Sequence, residues 1–121
     1  MSKTNKEIGE EGEKLAVELL KSKQYEIIKQ NYRYSKGEID IIAKDPRDGF
    51  LVFVEVKTRQ NLEYGEPEYA ITQSKIKQIK KIAELYLYEK NIDEVECRFD
   101  VIAILFRQNL PPLINHLENA F

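Results

Sequence analysis

Apolar and small residues first recur at helical spacing, as Ile8, Gly12, Leu15, Ala16, Leu19 and Leu20, with acids and lysines filling most places between. That spacing predicts an amphipathic helix over residues 5–22, capped by Asn5. Tyr25 to Tyr34 reads as a strand with a polar second half, and Ser35-Lys36-Gly37 as a turn in which Gly37 supplies any left-handed geometry. The clearest strands are Glu38–Lys44 and Leu51–Lys57. Asp45-Pro46-Arg47-Asp48-Gly49 joins them, short enough for an antiparallel hairpin. Leu51-Val52-Phe53-Val54 is apolar on both faces, the mark of a central strand covered on both sides. Asn61, Gly65 and Pro67 then mark a polar loop up to about Thr72.

A second helix is expected from about Gln73 to Lys90, capped by Thr72 or Ser74 and buried through Ile76, Ile79, Ile82, Ala83, Tyr86 and Leu87. Glu96–Phe106 is a last long strand. The tail, residues 107–121 with Pro111-Pro112, packs on the domain or extends it in a form the pattern leaves open. The order helix-strand-strand-strand-helix-strand, with no repeat or linker, reads as one domain. It is α/β or α+β, with a central mixed sheet flanked by helices.

Composition narrows the chemistry. The 121 residues suffice for one core, and 42% apolar with 33% charged residues is an ordinary soluble balance. One cysteine, Cys97, excludes an intrachain disulfide and a cysteine-cluster metal site; one histidine, His116, argues against a zinc enzyme or a Ser-His-Asp hydrolase. No segment approaches the ~18 consecutive apolar residues of a membrane span, and residues 1–7 lack a signal-peptide stretch, so a cytoplasmic protein without a membrane partner is expected. The remaining chemistry falls to carboxylates and lysines.

Two carboxylates stand where a core should be. Asp40 interrupts Glu38-Ile39-Asp40-Ile41-Ile42-Ala43, and alternation sets it beside Ile42 with Ile39 and Ile41 on the other face. Glu55 and Lys57 share a face of the next strand. Unpaired buried carboxylates are costly, so both need partners. One account is structural: Lys57 neutralises Glu55 while Asp40 lies in water at the sheet end. The other is a metal site. An antiparallel register pairing 40 with 55 makes the two acids neighbours, and a one-residue slip separates them onto opposite faces. Oxygen ligands suit Mg²⁺ or Mn²⁺, and a lysine beside them can orient water or stabilise charge on phosphorus. On this account Asp40 and Glu55 are metal ligands and Lys57 is the catalytic lysine. On the first helix Glu13 lies about 60° from Ala16, at the margin of the apolar face. Spacing leaves it either turned toward the sheet or in solvent.

The net charge of −2 does not advertise nucleic acid, but neutralising Glu13, Asp40 and Glu55 with metal changes it to +1. No acid occurs from Tyr69 to Ala83, where Lys77, Lys80 and Lys81 form a basic helix face and Lys75 falls on the inward side near the helix N-terminus. Arg59, after Lys57, and Arg33, in Asn31-Tyr32-Arg33-Tyr34, are further candidate phosphate contacts. A snorkelling Lys75 and an ordinary solvated helix face are the plainer alternatives. Asp100, in Arg98-Phe99-Asp100, is expected to brace a lysine or arginine near the site, and His116 to pack the tail or lie at the surface.

Gly37-Glu38-Ile39-Asp40-Ile41-Ile42-Ala43 followed by Phe53-Val54-Glu55-Val56-Lys57-Thr58-Arg59 resembles the YraN-like family of small bacterial proteins. That family is similar to archaeal Holliday-junction resolvases and to the PD-(D/E)XK restriction-endonuclease-like nucleases. The likeness extends through Gly9, Gly12-Glu13, Ala16, Asn31, Lys75, Arg98-Phe99-Asp100 and Asn119-Ala120-Phe121. It implies a restriction-endonuclease-like fold with Asp40, Glu55 and Lys57 at the motif positions, Glu13 as the helical glutamate, and Gly37 and Asp100 in support. Ile39 stands where the nuclease motif has proline. The expected function is Mg²⁺- or Mn²⁺-dependent hydrolysis of DNA, with branched or junction DNA among the candidate substrates and RNA still open; a symmetric homodimer would suit junction cutting. The alternative is a non-catalytic nucleic-acid-binding module that keeps the nuclease scaffold.

Overall fold

Residues 3–60 and 71–121 are described by the computed structural model, and the loop expected at Asn61, Gly65 and Pro67 lies outside the described residues. The elements are α1 (Asn5–Ser22), β1 (Glu26–Tyr34), β2 (Gly37–Lys44), β3 (Leu51–Arg59), α2 (Gln73–Glu89), β4 (Cys97–Arg107) and β5 (Leu110–Leu117). The cap of α1 is Thr4 rather than Asn5. Its side chain accepts the Glu7 amide at 3.1 Å while Glu7 accepts the Thr4 amide at 3.2 Å, a reciprocal capping box. Thr72 caps α2 by accepting the Lys75 amide at 3.1 Å.

The sheet order is β1-β2-β3-β4-β5, with β3 and β4 parallel and the other neighbours antiparallel. α2 provides the crossover that a parallel pair requires. The tail forms a fifth strand, reversing through Asn109 at φ 59 and pairing along β4 from Arg107↔Leu110 to Val101↔Leu117. Pro111 and Pro112 fit there because one of two adjacent residues points its N–H to the open edge and the other falls where the β4–β5 register shifts between Leu105 and Arg107.

α1 covers one face through Ala16, Val17 and Leu20, packed on Ile41, Ala43, Val52, Val54, Ile102 and Ile104. α2 covers the other through Ile79, Ile82, Ala83 and Tyr86, packed on Ile39, Ile42, Leu51 and Phe53. Simple alternation fails at one place. Ile39 and Ile41 are two apart yet lie under different helices, because β2 turns over at Asp40, beside a β1 whose Asn31 is left-handed at φ 54.

Two glycines mark close approaches. A Cβ on Gly12 would meet Thr58 Cγ2 at 2.2 Å, so α1 touches β3 there; one on Gly37 would meet Ile82 Cδ1 at 2.2 Å. The left-handed residue of the β1–β2 turn is Ser35, at φ 55, not Gly37. Gly37 is therefore needed for packing rather than for its backbone angle.

At the opposite end of β3 from Lys57, buried charge is matched bond for bond. Arg98 donates to Asp100 at 2.9 and 3.0 Å, to Asp45 at 2.9 Å and to the Tyr25 hydroxyl at 2.9 Å, and Asp45 and Asp100 are fully buried. His116 Nε2 lies 2.8 Å from Asp100, and the Asn119 amide donates to it at 3.0 Å, so β5 is fastened by the same cluster. His116 thus packs the tail. Hydrogen bonds from Arg47 hold the Asp45 carboxyl well below the usual carboxylate range; for Asp100, bonds from His116, Arg98 and Asn119 outweigh the upward push of burial. Asp100 braces an arginine, as expected, but it is Arg98 under α1, since even-numbered residues of β4 face that helix, at the end of β3 away from Lys57.

Because both acids are depressed, their stabilisation is present above their unfolded values near pH 4 and is lost as pH falls through the folded ones. Replacing Arg98 by Leu leaves two buried carboxylates short of a partner and is expected to destabilise by about 3–5 kcal/mol in urea unfolding at pH 7, with a smaller difference near pH 3. Gly12→Ala is expected to lose about 1–3 kcal/mol by overpacking against Thr58, although alanine is the better helix former.

Candidate metal centre and active site

The ladder between β2 and β3 runs from Lys44↔Leu51 to Ile41↔Val54, whereas β3 stays paired with β4 as far as Arg59↔Leu105. Beyond Ile41, β2 follows β1 instead, through Ile39↔Tyr32, Glu38↔Arg33 and Gly37↔Tyr34. The sheet therefore forks at Asp40. In the fork, Asp40 Oδ2 accepts the Val56 amide at 2.8 Å, taking the place of a rung. One step past Ile41↔Val54, the register sets Asp40 against Glu55, the one of the two registers left open by the sequence that makes the acids neighbours.

Glu55 is 5% exposed. Its Oε1 lies 3.5 Å from Lys57 Nζ, while Oε2 is buried with no hydrogen-bond partner among the described residues. Burial, then the charge of Asp40, pushes the Glu55 carboxyl up to about 7 against the pull of Lys75 and Lys57. Burial also raises Asp40, opposed by the Val56 amide. Glu13 on α1 rises to about 7 through burial first and then through the neighbouring Asp40 carboxylate. The Gly12–Thr58 contact is what brings α1 near enough for this. Spacing left the direction of Glu13 open; the packing turns it to the fork.

Carboxylate oxygens of Glu13, Glu38 and Asp40 lie within 4.8 Å of one another. The hydrogen-bond network orients the Asn31 amide so that its nitrogen donates to Glu38 Oε1 at 2.7 Å and Glu13 Oε1 at 3.1 Å. Arg33 Nε donates to Glu38 at 3.1 Å on the exposed side. Sequence reasoning missed Glu38 as a site acid and placed Asn31 only in a candidate phosphate-contact stretch. The available signal was a second acid two residues before Asp40 with a polar partner strand, but only the turnover at Asp40 brings Glu38 to Glu13.

Among the other expected residues, Lys75 is half-buried and its charge favours ionised Asp40 and Glu55. Lys77, Lys80 and Lys81 are exposed on α2, with Lys80 Nζ 5.6 Å from the centre of the Phe99 ring. Arg59 donates to the Thr58 carbonyl at 3.1 Å and makes no ion pair with the fork acids among the described residues. The assembled donor set is all oxygen, the kind hard divalent cations take, with two lysines at its rim.

The model of the family described as "Uncharacterised protein family UPF0102" matches residues 12–104. Similar proteins include a UPF0102 protein of Trichlorobacter lovleyi, 44% identical over 121 residues, covering 100% of this chain and 94% of the relative. A UPF0102 protein of Geotalea daltonii is 48% identical over 117 residues, covering 97% and 91%. One of Natranaerobius thermophilus is 49% identical over 119 residues, covering 97% and 98%.

Carboxyls raised in the folded state stabilise it below their unfolded values near pH 4.5, and that contribution is lost as pH rises through about 7. In EDTA the melting temperature is therefore expected to fall between pH 5 and pH 8, and Glu55→Gln to flatten that fall. Mg²⁺ or Mn²⁺ at pH 8 is expected to raise the wild-type melting temperature and to have less effect on Asp40→Asn. A fork that only balances Glu55 against Lys57 would give melting curves indifferent to the cation.

Proposed function

The chain belongs to the UPF0102 family, and on the geometry of the fork we propose that it is a divalent-metal-dependent DNA endonuclease hydrolysing phosphodiester bonds. The observation that carries this reading is Glu55 Oε2, buried without a partner among the described residues on a carboxylate that the charge of Asp40 acts on, with Lys57 on the other oxygen. A purely structural pair would leave no reason to bury an oxygen without a partner. Asp40, Glu55 and Glu13 would hold Mg²⁺ or Mn²⁺. The bound ion would supply a Lewis acid for the charge that develops on the phosphate oxygens.

The chain's own residues supply the rest. Lys57, held beside Glu55, orients the attacking water and offers a positive charge to the phosphate. Water oxygen bonds to phosphorus, the bond to one sugar oxygen breaks, and the water proton ends on that sugar hydroxyl. Lys75, favouring ionised Asp40 and Glu55, keeps the carboxylates in the form that binds a cation. Lys77, Lys80 and Lys81 give the phosphate backbone a basic track along α2, with Arg59 and Arg33 at either side of the fork.

Cleavage of labelled duplex, flap and four-way-junction DNA, with matched RNA substrates, tests the reading. Products are expected only with Mg²⁺ or Mn²⁺, and Asp40→Ala and Lys57→Ala are each expected to slow cleavage by at least about a hundredfold while leaving the fold intact by circular dichroism. Metal-independent binding with no product from any substrate would instead select a nucleic-acid-binding module.

A further inference from the structure

Gly9 and Gly12 are both interior residues of α1, but only one has a packing reason. Gly12 abuts Thr58, whereas a Cβ on Gly9 would meet nothing within 4 Å among the described residues. Glycine is a poor helix-interior residue, so one that faces open space needs another reason to be there. Gly9 lines a cleft of about 280 Å³ between α1 and the β1–β2 edge, shared with Lys6, Arg33 and Thr58. The inner wall of that cleft is Glu13 and Glu38, two of the three acids whose oxygens converge at the fork. The cleft is thus a second approach to the carboxylates, from the α1 side, while Lys75 and the α2 lysines stand on the other.

We infer that this cleft holds one nucleotide of a nucleic-acid strand, immediately beside the phosphate at the carboxylate cluster. The inference rests on the nuclease reading and adds where the strand runs: from the α2 lysines, across the fork, and out over Gly9. The volume sits just below the roughly 300–1,000 Å³ typical of small-molecule sites, room for a single nucleotide and not for a duplex. Lys6 and Arg33, the latter paired with Glu38, stand at the rim beside Glu10, and Thr58 supplies a hydroxyl. Gly9 lets the sugar-phosphate approach the helix backbone, which a side chain would prevent. Because Glu13 and Glu38 repel a phosphate until a cation offsets them, occupancy depends on divalent metal.

The probe is a short fluorescein-labelled oligothymidylate in Ca²⁺, followed by anisotropy and by amide chemical shifts of the whole chain. Shifts are expected at Lys6, Gly9 and Thr58. Gly9→Met is expected to weaken binding about tenfold while its urea midpoint stays level or rises, since methionine favours the helix. Lys6→Ala is expected to lower the salt-dependence slope by about one. If Gly9→Met binds as tightly as wild type while a triple alanine variant at Lys77, Lys80 and Lys81 does not, the cleft is overturned and the nuclease reading stands. If wild type binds none of single-stranded, duplex, flap and four-way-junction DNA in Ca²⁺, the nuclease reading itself falls.

Discussion

A carboxylate doing the work of a backbone carbonyl governs this molecule. By accepting the Val56 amide at 2.8 Å, Asp40 satisfies β3 where β2 has turned away, and so permits the sheet to open without orphaning a buried donor. An apolar side chain at position 40 would leave that amide unpaired. The fork then creates the concavity in which Glu13, Glu38, Asp40 and Glu55 gather, with α1 on one side and the start of α2 on the other.

The protein contains two gatherings of charge, and their contrast is informative. Around Arg98, fixed hydrogen bonds offset the loss of water, and the acids lie below their ordinary values. At the fork, burial dominates and the carboxyls of Glu13, Asp40 and Glu55 rise. The first arrangement locks β1, β2, β4 and β5 together at one end of the sheet. The second keeps four carboxylates close with incomplete compensation, a condition that a folded chain retains at the expense of stability and that a cation would relieve.

Much of the architecture was legible along the chain. Apolar spacing located both helices and the Asp45–Gly49 connection implied the hairpin, while the choice between the register that brings Asp40 to Glu55 and its one-residue slip was left to the fold. The acids stood out because they interrupt strands that are otherwise apolar. β5 was not legible, since Pro111 and Pro112 contradict a strand unless it is known to lie at an edge. Thr4 as the cap and Ser35 as the left-handed residue were missed because local propensity favours neighbours that serve almost as well.

The amino-acid order by itself determined which residues could bear charge in the interior: Asp40, Glu55 and Lys57 by position in their strands, Lys75 by its side of a helix. The tertiary structure alone decided who meets whom. Glu13 reaches the fork because Gly12 lets α1 press on Thr58; Glu38 joins because β2 turns over at Asp40; Asp100 is diverted to Arg98 by its face of β4. Periodicity describes a side chain relative to its own element, whereas these meetings depend on the approach and twist of elements far apart in sequence.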